Sequence, residues 1–175
     1  MEKIITRRTV LTKANMNDLI ELEFIEKECI EYFKFDPKCE ENHSLTIKEC
    51  LTKGDIPPGG KKENYFLYCI RENNVLIGFL DYYIEYISKD TVYFNSIYIK
   101  KDCRSNKIGQ EVVETIFNIF ALNSYKNIQL HVSLRNALAL KFWVKQGFDE
   151  IVNVECNGNL FAENFGGIEL IKRIK

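Results

Sequence analysis

Apolar residues along the chain switch between a period of two and a period near 3.6, and those switches divide it into elements. KIITRRTV, residues 3 to 10, reads as a first strand. From Asn15 the spacing becomes helical: Met16, Leu19, Ile20, Leu22, Phe24, Ile25, Cys29, Ile30 and Phe33 make one apolar side, and Asp36-Pro37 ends the run. A second helix is expected from Thr46, where TIKE fits a capping box with Glu49 bonding back, and Gly54 stops it. GDIPPGG, residues 54 to 60, is too rich in turn residues for regular structure. Three strand-like runs follow, YFLYCIR (65 to 71), VLIGFLDYYIEYI (75 to 87) and TVYFNSIYI (91 to 99), separated by turns at Glu72-Asn73-Asn74 and Ser88-Lys89-Asp90. Val112, Val113, Ile116, Phe117 and Phe120 then define a helix over about 108 to 122, and NIQLHV (127 to 132) is another strand. Asn136 can cap a last helix, ALALKFWVKQ, which Gly147 terminates. FDEIVNVEC and GIELIKRI read as two final strands joined by the polar loop NGNLFAENFG.

This order predicts an α/β (α+β) fold, with a mixed but mostly antiparallel sheet of six to seven strands flanked by about four helices. The helix between TVYFNSIYI and NIQLHV makes those two strands a parallel pair joined by a crossover. At 175 residues the chain is read as a single domain over 1–175.

Composition narrows the class. With 46% hydrophobic and 28% charged residues the chain resembles an ordinary globular protein, and no apolar run reaches the roughly 20 residues that span a bilayer. MEKIITRRTV lacks the apolar stretch of a signal peptide, so a cytoplasmic location is expected, without membrane partners. A formal net charge of −1 gives no reason to expect nucleic acid. The six cysteines (Cys29, Cys39, Cys50, Cys69, Cys103 and Cys156) form no CxxC pair, and with His43 and His131 they make no metal-ligand pattern, so no metal is expected and all six are read as free thiols. Cys103 is the exception to watch, because it precedes a helix start that could activate it.

That helix start is the candidate site. CRSNKIGQEV, residues 103 to 112, lies between a strand and a helix, where unpaired amides and the positive end of the helix dipole can hold an anion. Arg104-Ser105-Asn106-Lys107-Ile108-Gly109 resembles the pyrophosphate loop of the GNAT N-acetyltransferase superfamily, whose pattern is Gln/Arg-x-x-Gly-x-Gly/Ala. Lys107 stands at the first glycine. About 27 residues on, NALALKFWVKQGF (136 to 148) resembles the family's Asn-x-x-Ala-x-x-Phe/Leu-Tyr-x-x-x-Gly-Phe segment through Asn136, Ala139, Phe142, Gly147 and Phe148. The two motifs stand in the right order and at the right separation.

The resemblance implies the GNAT fold, with a splayed parallel strand pair holding acetyl-CoA. Ile97, Tyr98 and Ile99 would bond the pantetheine as an added strand, and their amides would polarise the thioester carbonyl. Arg104, Ser105, Asn106, Lys107, Ile108, Gly109 and Gln110 would surround the pyrophosphate. Arg104 is read as a phosphate contact, while Lys107 can contact phosphate or face solvent. Asn136 would bond near the acyl end, cap its helix, or both. Phe142 and Trp143 would border the cofactor slot or pack in the core. The family uses a tyrosine at the Trp143 position as acid, and often a glutamate on the fourth strand, here TVYFNSIYI, as base; Tyr93 and Asn95 stand in that region, with no carboxylate. Asp81 and Glu85, with Tyr83 between them on the same strand face, are the substitutes: Asp81 or Glu85 as base through water, Tyr83 as acid. Five glutamates between residues 21 and 31 either attract a cationic amine or are solvated.

The expected function is acetyl transfer from acetyl-CoA to a primary amine of a small molecule or peptide, by direct attack in a ternary complex, in a monomer or homodimer. The alternative is a non-catalytic acyl-CoA-binding module of the same fold. A Rossmann or P-loop nucleotide-binding domain is disfavoured, since neither G-x-G-x-x-G nor GxxxxGK[ST] occurs.

Overall fold

The structure is a computed structural model that describes residues 2–29, 35, 45–156 and 166–174. Expectations that fall on Ile30, Glu31, Phe33, Asp36, Pro37, Cys39, His43 and residues 157–165 lie outside the described residues.

The run 3 to 10 is not one strand. It forms β1 (Lys3–Ile5) and β2 (Val10–Lys13), which pair antiparallel with Ile4 opposite Leu11. Two threonines close the turn between them: the Thr6 amide donates to the Thr9 carbonyl at 2.9 Å, and the two hydroxyls lie 2.8 Å apart. The stretch holds no glycine, proline, asparagine or aspartate to mark a turn, so the sequence shows no break; the side-chain bonds make it. Asn15 then accepts from the Asn17 amide and caps a short 3₁₀ turn, Met16–Asp18, that leads into α1 (Leu19–Cys29). The expected capping box starts α2 (Ile47–Thr52): the Glu49 amide donates to Thr46 Oγ1, and the Thr46 amide to Glu49 Oε2.

β3 (Tyr65–Glu72) and β4 (Val75–Ile84) are joined by Asn73 and Asn74, both left-handed as a two-residue hairpin turn requires. β4 ends at Ile84, three residues short of the expected end, because Glu85 and Ile87 take positive φ to form the turn into β5 (Thr91–Ile99). Then come α3 (Ile108–Leu122), β6 (Asn127–Ser133), α4 (Ala137–Lys145), β7 (Glu150–Cys156) and β8 (Gly166–Arg173). The described residues thus make eight strands and four α-helices, one or two strands more than expected because of the β1–β2 split. The sheet order is β1-β2-β3-β4-β5-β6-β8-β7, and only β5 and β6 run parallel.

The sheet separates two apolar layers. Leu80, Tyr82, Val92 and Phe94 face α3 and α4, where Val113, Ile116, Phe117, Trp143 and Phe148 complete the larger core. Leu67, Cys69, Tyr83 and Tyr98 face the other way, against Leu22 and Ile25 of α1 and Ile47 of α2. No helix among the described residues is long and apolar enough to cross a membrane.

Candidate active site

β5 pairs with β6 only at Thr91–Asn127, Val92–Ile128 and Tyr93–Gln129. Beyond that point β5 follows β4 up to Ile99–Gly78, while β6 follows β8 up to Ser133–Gly167. The parallel strands therefore splay, and among the described residues the edge of β5 from Phe94 to Ile99 has no strand partner on the β6 side. At the same place β5 carries a bulge: Asp81 pairs with Ser96 and Tyr82 with Phe94, leaving Asn95 as the extra residue. A bulge of this kind bends the strand and can aim two successive side chains to one side. Here the Asn95 and Ser96 side chains both reach Asp81.

One wall of the splay is the start of α3. The chain leaves β5 through a 3₁₀ turn at Lys101–Cys103 and enters the helix with Ser105 and Lys107 both left-handed (φ 67° and 62°). Lys107 thus occupies the conformation that glycine adopts without strain, at the position where the family pattern has glycine. Helices α2 and α4 are capped by the side chains of Thr46 and Asn136, but among the described residues no side chain caps α3. Its helical bonds begin with the Glu111 amide donating to the Lys107 carbonyl, so the amides of Ile108, Gly109 and Gln110 have no acceptor within the helix. The nearest atoms to a Cβ on Gly109 would be the Phe142 ring at 3.8 Å and Ile99 at 3.9 Å, ordinary contact distances. Neighbouring protein atoms therefore do not demand glycine there; bare backbone leaves room for a ligand. Ser105, Asn106 and Lys107 are exposed.

Arg104 points elsewhere than expected. Its Nε donates to the Ile99 carbonyl at 2.7 Å, and its guanidinium lies 4.9 Å from the Tyr98 ring, on the α1 side of the sheet. The Tyr98 side chain is buried in that layer, its hydroxyl donating to Glu28, while Ile97 and Ile99 are half-buried on the α3 side. Asn136 accepts from the Ala139 amide at 3.0 Å as a helix cap. Phe142 lies beside Gly109, and Trp143 is 7% exposed, edge-on to Phe94 and Phe148 at 5.5 and 5.4 Å. At the family's tyrosine position this chain has a core residue.

A feature with no sequence signal braces α3. Glu111 accepts from Thr6 Oγ1, the Arg8 amide and Arg8 Nε, which ties the first turn of the helix to the β1–β2 turn. Burial alone would raise its pKa, but the bonds from Thr6 and Arg8 outweigh that and hold it below the usual glutamate value.

The opposite wall centres on Asp81, 5% exposed and facing the α1–α2 layer. Its carboxylate accepts from Tyr65 Oη at 3.0 Å, from Asn95 Nδ2 at 3.2 Å and from the Ser96 hydroxyl. Burial outweighs these bonds and lifts its pKa to about 6, helped by the nearby charge of Asp55. Asn95 Nδ2 also lies 3.3 Å from Asp55 Oδ2. Cys50 borders this group, and burial pushes its thiol up to about 12, as it does for Cys69. Tyr65, Ser96 and Asp55 were not among the expected site residues. Pairing register and a bulge bring them in, and neither is visible in a linear pattern.

The other two acid–base candidates stand apart from Asp81. Tyr83 is buried, and its hydroxyl accepts the Lys61 amide, pinning the loop after Pro57 and Pro58. Glu85 is exposed in the turn beyond β4, 3.5 Å from Asn64 Nδ2, on the rim of an open cavity of about 470 Å³. Alternation along the expected strand placed Glu85 with Asp81; the left-handed turn removes it.

Comparisons agree with this geometry. The model of the "Acetyltransferase (GNAT) family" matches residues 22–148. A probable acetyltransferase from Staphylococcus epidermidis superposes with TM-score 0.71 at 16% identity, over 95% of this chain and 99% of that one. The ribosomal-protein-S18-alanine N-acetyltransferase from Escherichia coli superposes with TM-score 0.69 at 15% identity, over 95% and 94%. A probable GNAT-family acetyltransferase from Chromobacterium violaceum reaches TM-score 0.75 at 12% identity, over 98% and 86%. No curated protein matches the chain by sequence. With some three-quarters of its length matched by the family model, and the splayed strands and uncapped helix start in place, the chain belongs to the acetyltransferase (GNAT) family.

Proposed function

We propose that this acetyltransferase moves an acetyl group from acetyl-CoA to a primary amine, by direct attack within a ternary complex. The donor set suits acetyl-CoA. The uncapped amides of Ile108, Gly109 and Gln110 offer donors for a pyrophosphate, and the edge of β5 at Ile97 and Tyr98, beyond its pairing with β6, offers backbone bonds to a pantetheine amide. When bound, the cofactor would supply an activated acetyl thioester.

The observation that carries the reading is Asp81 at the bulge: a buried carboxylate with a pKa of about 6, on the face away from α3, where an acceptor would enter. An amine attacks only after its ammonium loses a proton. At neutral pH Asp81 is mostly ionised and able to take that proton, directly or through water, while Tyr65, Asn95 and Ser96 hold its carboxylate in place.

The Trp143 packing keeps a second reading in view, an acyl-CoA-binding module without turnover. The two separate in one assay: incubate the protein with acetyl-CoA and a panel of primary amines, and follow free thiol together with acetylated product. Amine-dependent thiol release supports transfer. Tight CoA binding with no release over background favours the module.

A further inference from the structure

Within the β1–β2 turn, the side chains of three residues are engaged and that of the fourth is not. The Thr9 amide donates to Thr6 Oγ1 at 2.9 Å, and Thr6 Oγ1 donates to Glu111 at 2.6 Å. Arg8 meets the same carboxylate twice, from its amide at 2.7 Å and its Nε at 2.8 Å. Arg7 stands between them with a side chain 81% exposed. Among the described residues its ionic neighbour is Glu111, whose Oε2 lies 3.9 Å from Nε, beyond hydrogen-bond reach. A pinned turn thus carries a guanidinium whose donors face solvent.

Glu111 fixes where that turn lies. Its amide donates to the Lys107 carbonyl, so the two residues share a face of α3, about 6 Å apart along the axis. Helical side chains lean toward the N-terminus, which sets the β1–β2 turn alongside the uncapped start of the helix. Gly109, against Phe142, marks the α4 side of that start, and Glu111 is roughly 200° further round. Arg7 therefore stands on the flank opposite Phe142. From there it meets a group that extends past an anion held on the amides of Ile108, Gly109 and Gln110.

Acetyl-CoA brings such a group. Beyond its pyrophosphate it carries a 3′-phosphate, a monoester with a charge of about −1.5 to −2 at pH 7. The arginine of the loop motif is turned away from it, because the Ile99 carbonyl and the Tyr98 ring hold Arg104 on the α1 side. A guanidinium suits a phosphate, which it can grip with two parallel N–H donors. We propose that Arg7 binds the 3′-phosphate of CoA from the β1–β2 turn, outside the motif loop, and so distinguishes CoA from its 3′-dephospho form. The inference rests on the acetyl-CoA reading and adds a recognition residue to it.

The test is calorimetric binding of CoA and of 3′-dephospho-CoA at pH 7 to wild type, Arg7→Gln and Arg7→Lys. The wild type is expected to bind CoA about fivefold or more tightly than 3′-dephospho-CoA, the scale of one exposed charge pair. Arg7→Gln should weaken CoA by about that factor and leave 3′-dephospho-CoA within about twofold, with Arg7→Lys in between. Added salt should narrow the wild-type preference, since an exposed contact is screened. CoA binding without a preference over the dephospho form, or equal losses for both ligands in Arg7→Gln, would overturn the role of Arg7 and leave the acetyl-CoA reading standing. Binding of neither ligand by the wild type would sink that reading and the role of Arg7 with it.

Discussion

Where β5 leaves β6, the two walls of the cleft are made of different material. On the α3 side the polar groups are backbone: the amides of Ile108, Gly109 and Gln110 and the strand edge at Ile97 and Tyr98. On the α1–α2 side they are side chains: Asp81 held by Tyr65, Asn95 and Ser96, with Asp55 outside it. A backbone wall asks only that its helix start and strand edge keep their shape, so it tolerates Lys107 where the family pattern has glycine. A side-chain wall depends on the chemistry of each member, because a buried carboxylate stripped of its donors is costly.

Substitutions that treat the walls differently test that contrast. The largest effect is expected from Asp81→Asn, which should lower kcat by roughly 10²–10⁴-fold, the range for losing a general base, while calorimetry shows CoA affinity unchanged. If CoA binding falls as far as kcat, the walls are not separate. Trp143→Ala should cost about 3–5 kcal/mol in denaturant unfolding, as for a large aromatic removed from a packed core. Trp143→Phe should keep kcat within about threefold, since the ring packs on Phe94 and Phe148 and takes no part in proton transfer. A much larger loss would return Trp143 to the chemistry.

Glu111→Gln should cost about 1.5–3 kcal/mol at pH 7 by weakening the charged bonds from Arg8 and Thr6. The folded carboxylate titrates below its ordinary value, so this stabilisation is full above that value and fades as pH falls through the lowered one. The stability gap between the two proteins should accordingly close in acid. The smallest effect is expected from Lys107→Gly. Relief of left-handed backbone is offset by the greater freedom of unfolded glycine, so stability should move by less than about 1 kcal/mol. CoA affinity should stay within about threefold, because amides carry the contact. A tenfold loss that shrinks with dephosphorylated pantetheine thioesters would show instead that the ammonium holds phosphate.

The same contrast explains what could be read from residue order. α3 and α4 are local: their apolar spacing, Asn136 and Gly147 identify them within a few turns, and the backbone wall comes with them. Trp143 was visible as a departure from the family tyrosine, and the aromatic cluster around it explains why an indole fits. The proton-handling wall is non-local. Asp81 meets Tyr65 through the β3–β4 register and meets Asn95 and Ser96 through a bulge that no linear pattern marks. Glu85 looked equivalent to Asp81 by alternation until the turn at its own backbone took it to the surface. The β1–β2 turn was hidden for a related reason: Thr6 and Arg8 bond to Glu111, more than a hundred residues away, inside a stretch without the glycine, proline, asparagine or aspartate that marks a turn. Arg104 matched the motif, but the Ile99 carbonyl and the Tyr98 ring hold it on the α1 side.

The central claim is that Asp81 takes the proton from the acceptor, and the pH dependence of kcat/KM for the amine tests it most directly. An alkylammonium titrates near 10.4, far above the region of interest. In the wild type, activity should climb as pH rises through about 6, where Asp81 loses its proton, and then level off. In Asp81→Asn that acid limb should vanish, leaving low activity with no inflection near 6. A limb that survives unchanged in Asp81→Asn would contradict the account and assign the base to another residue.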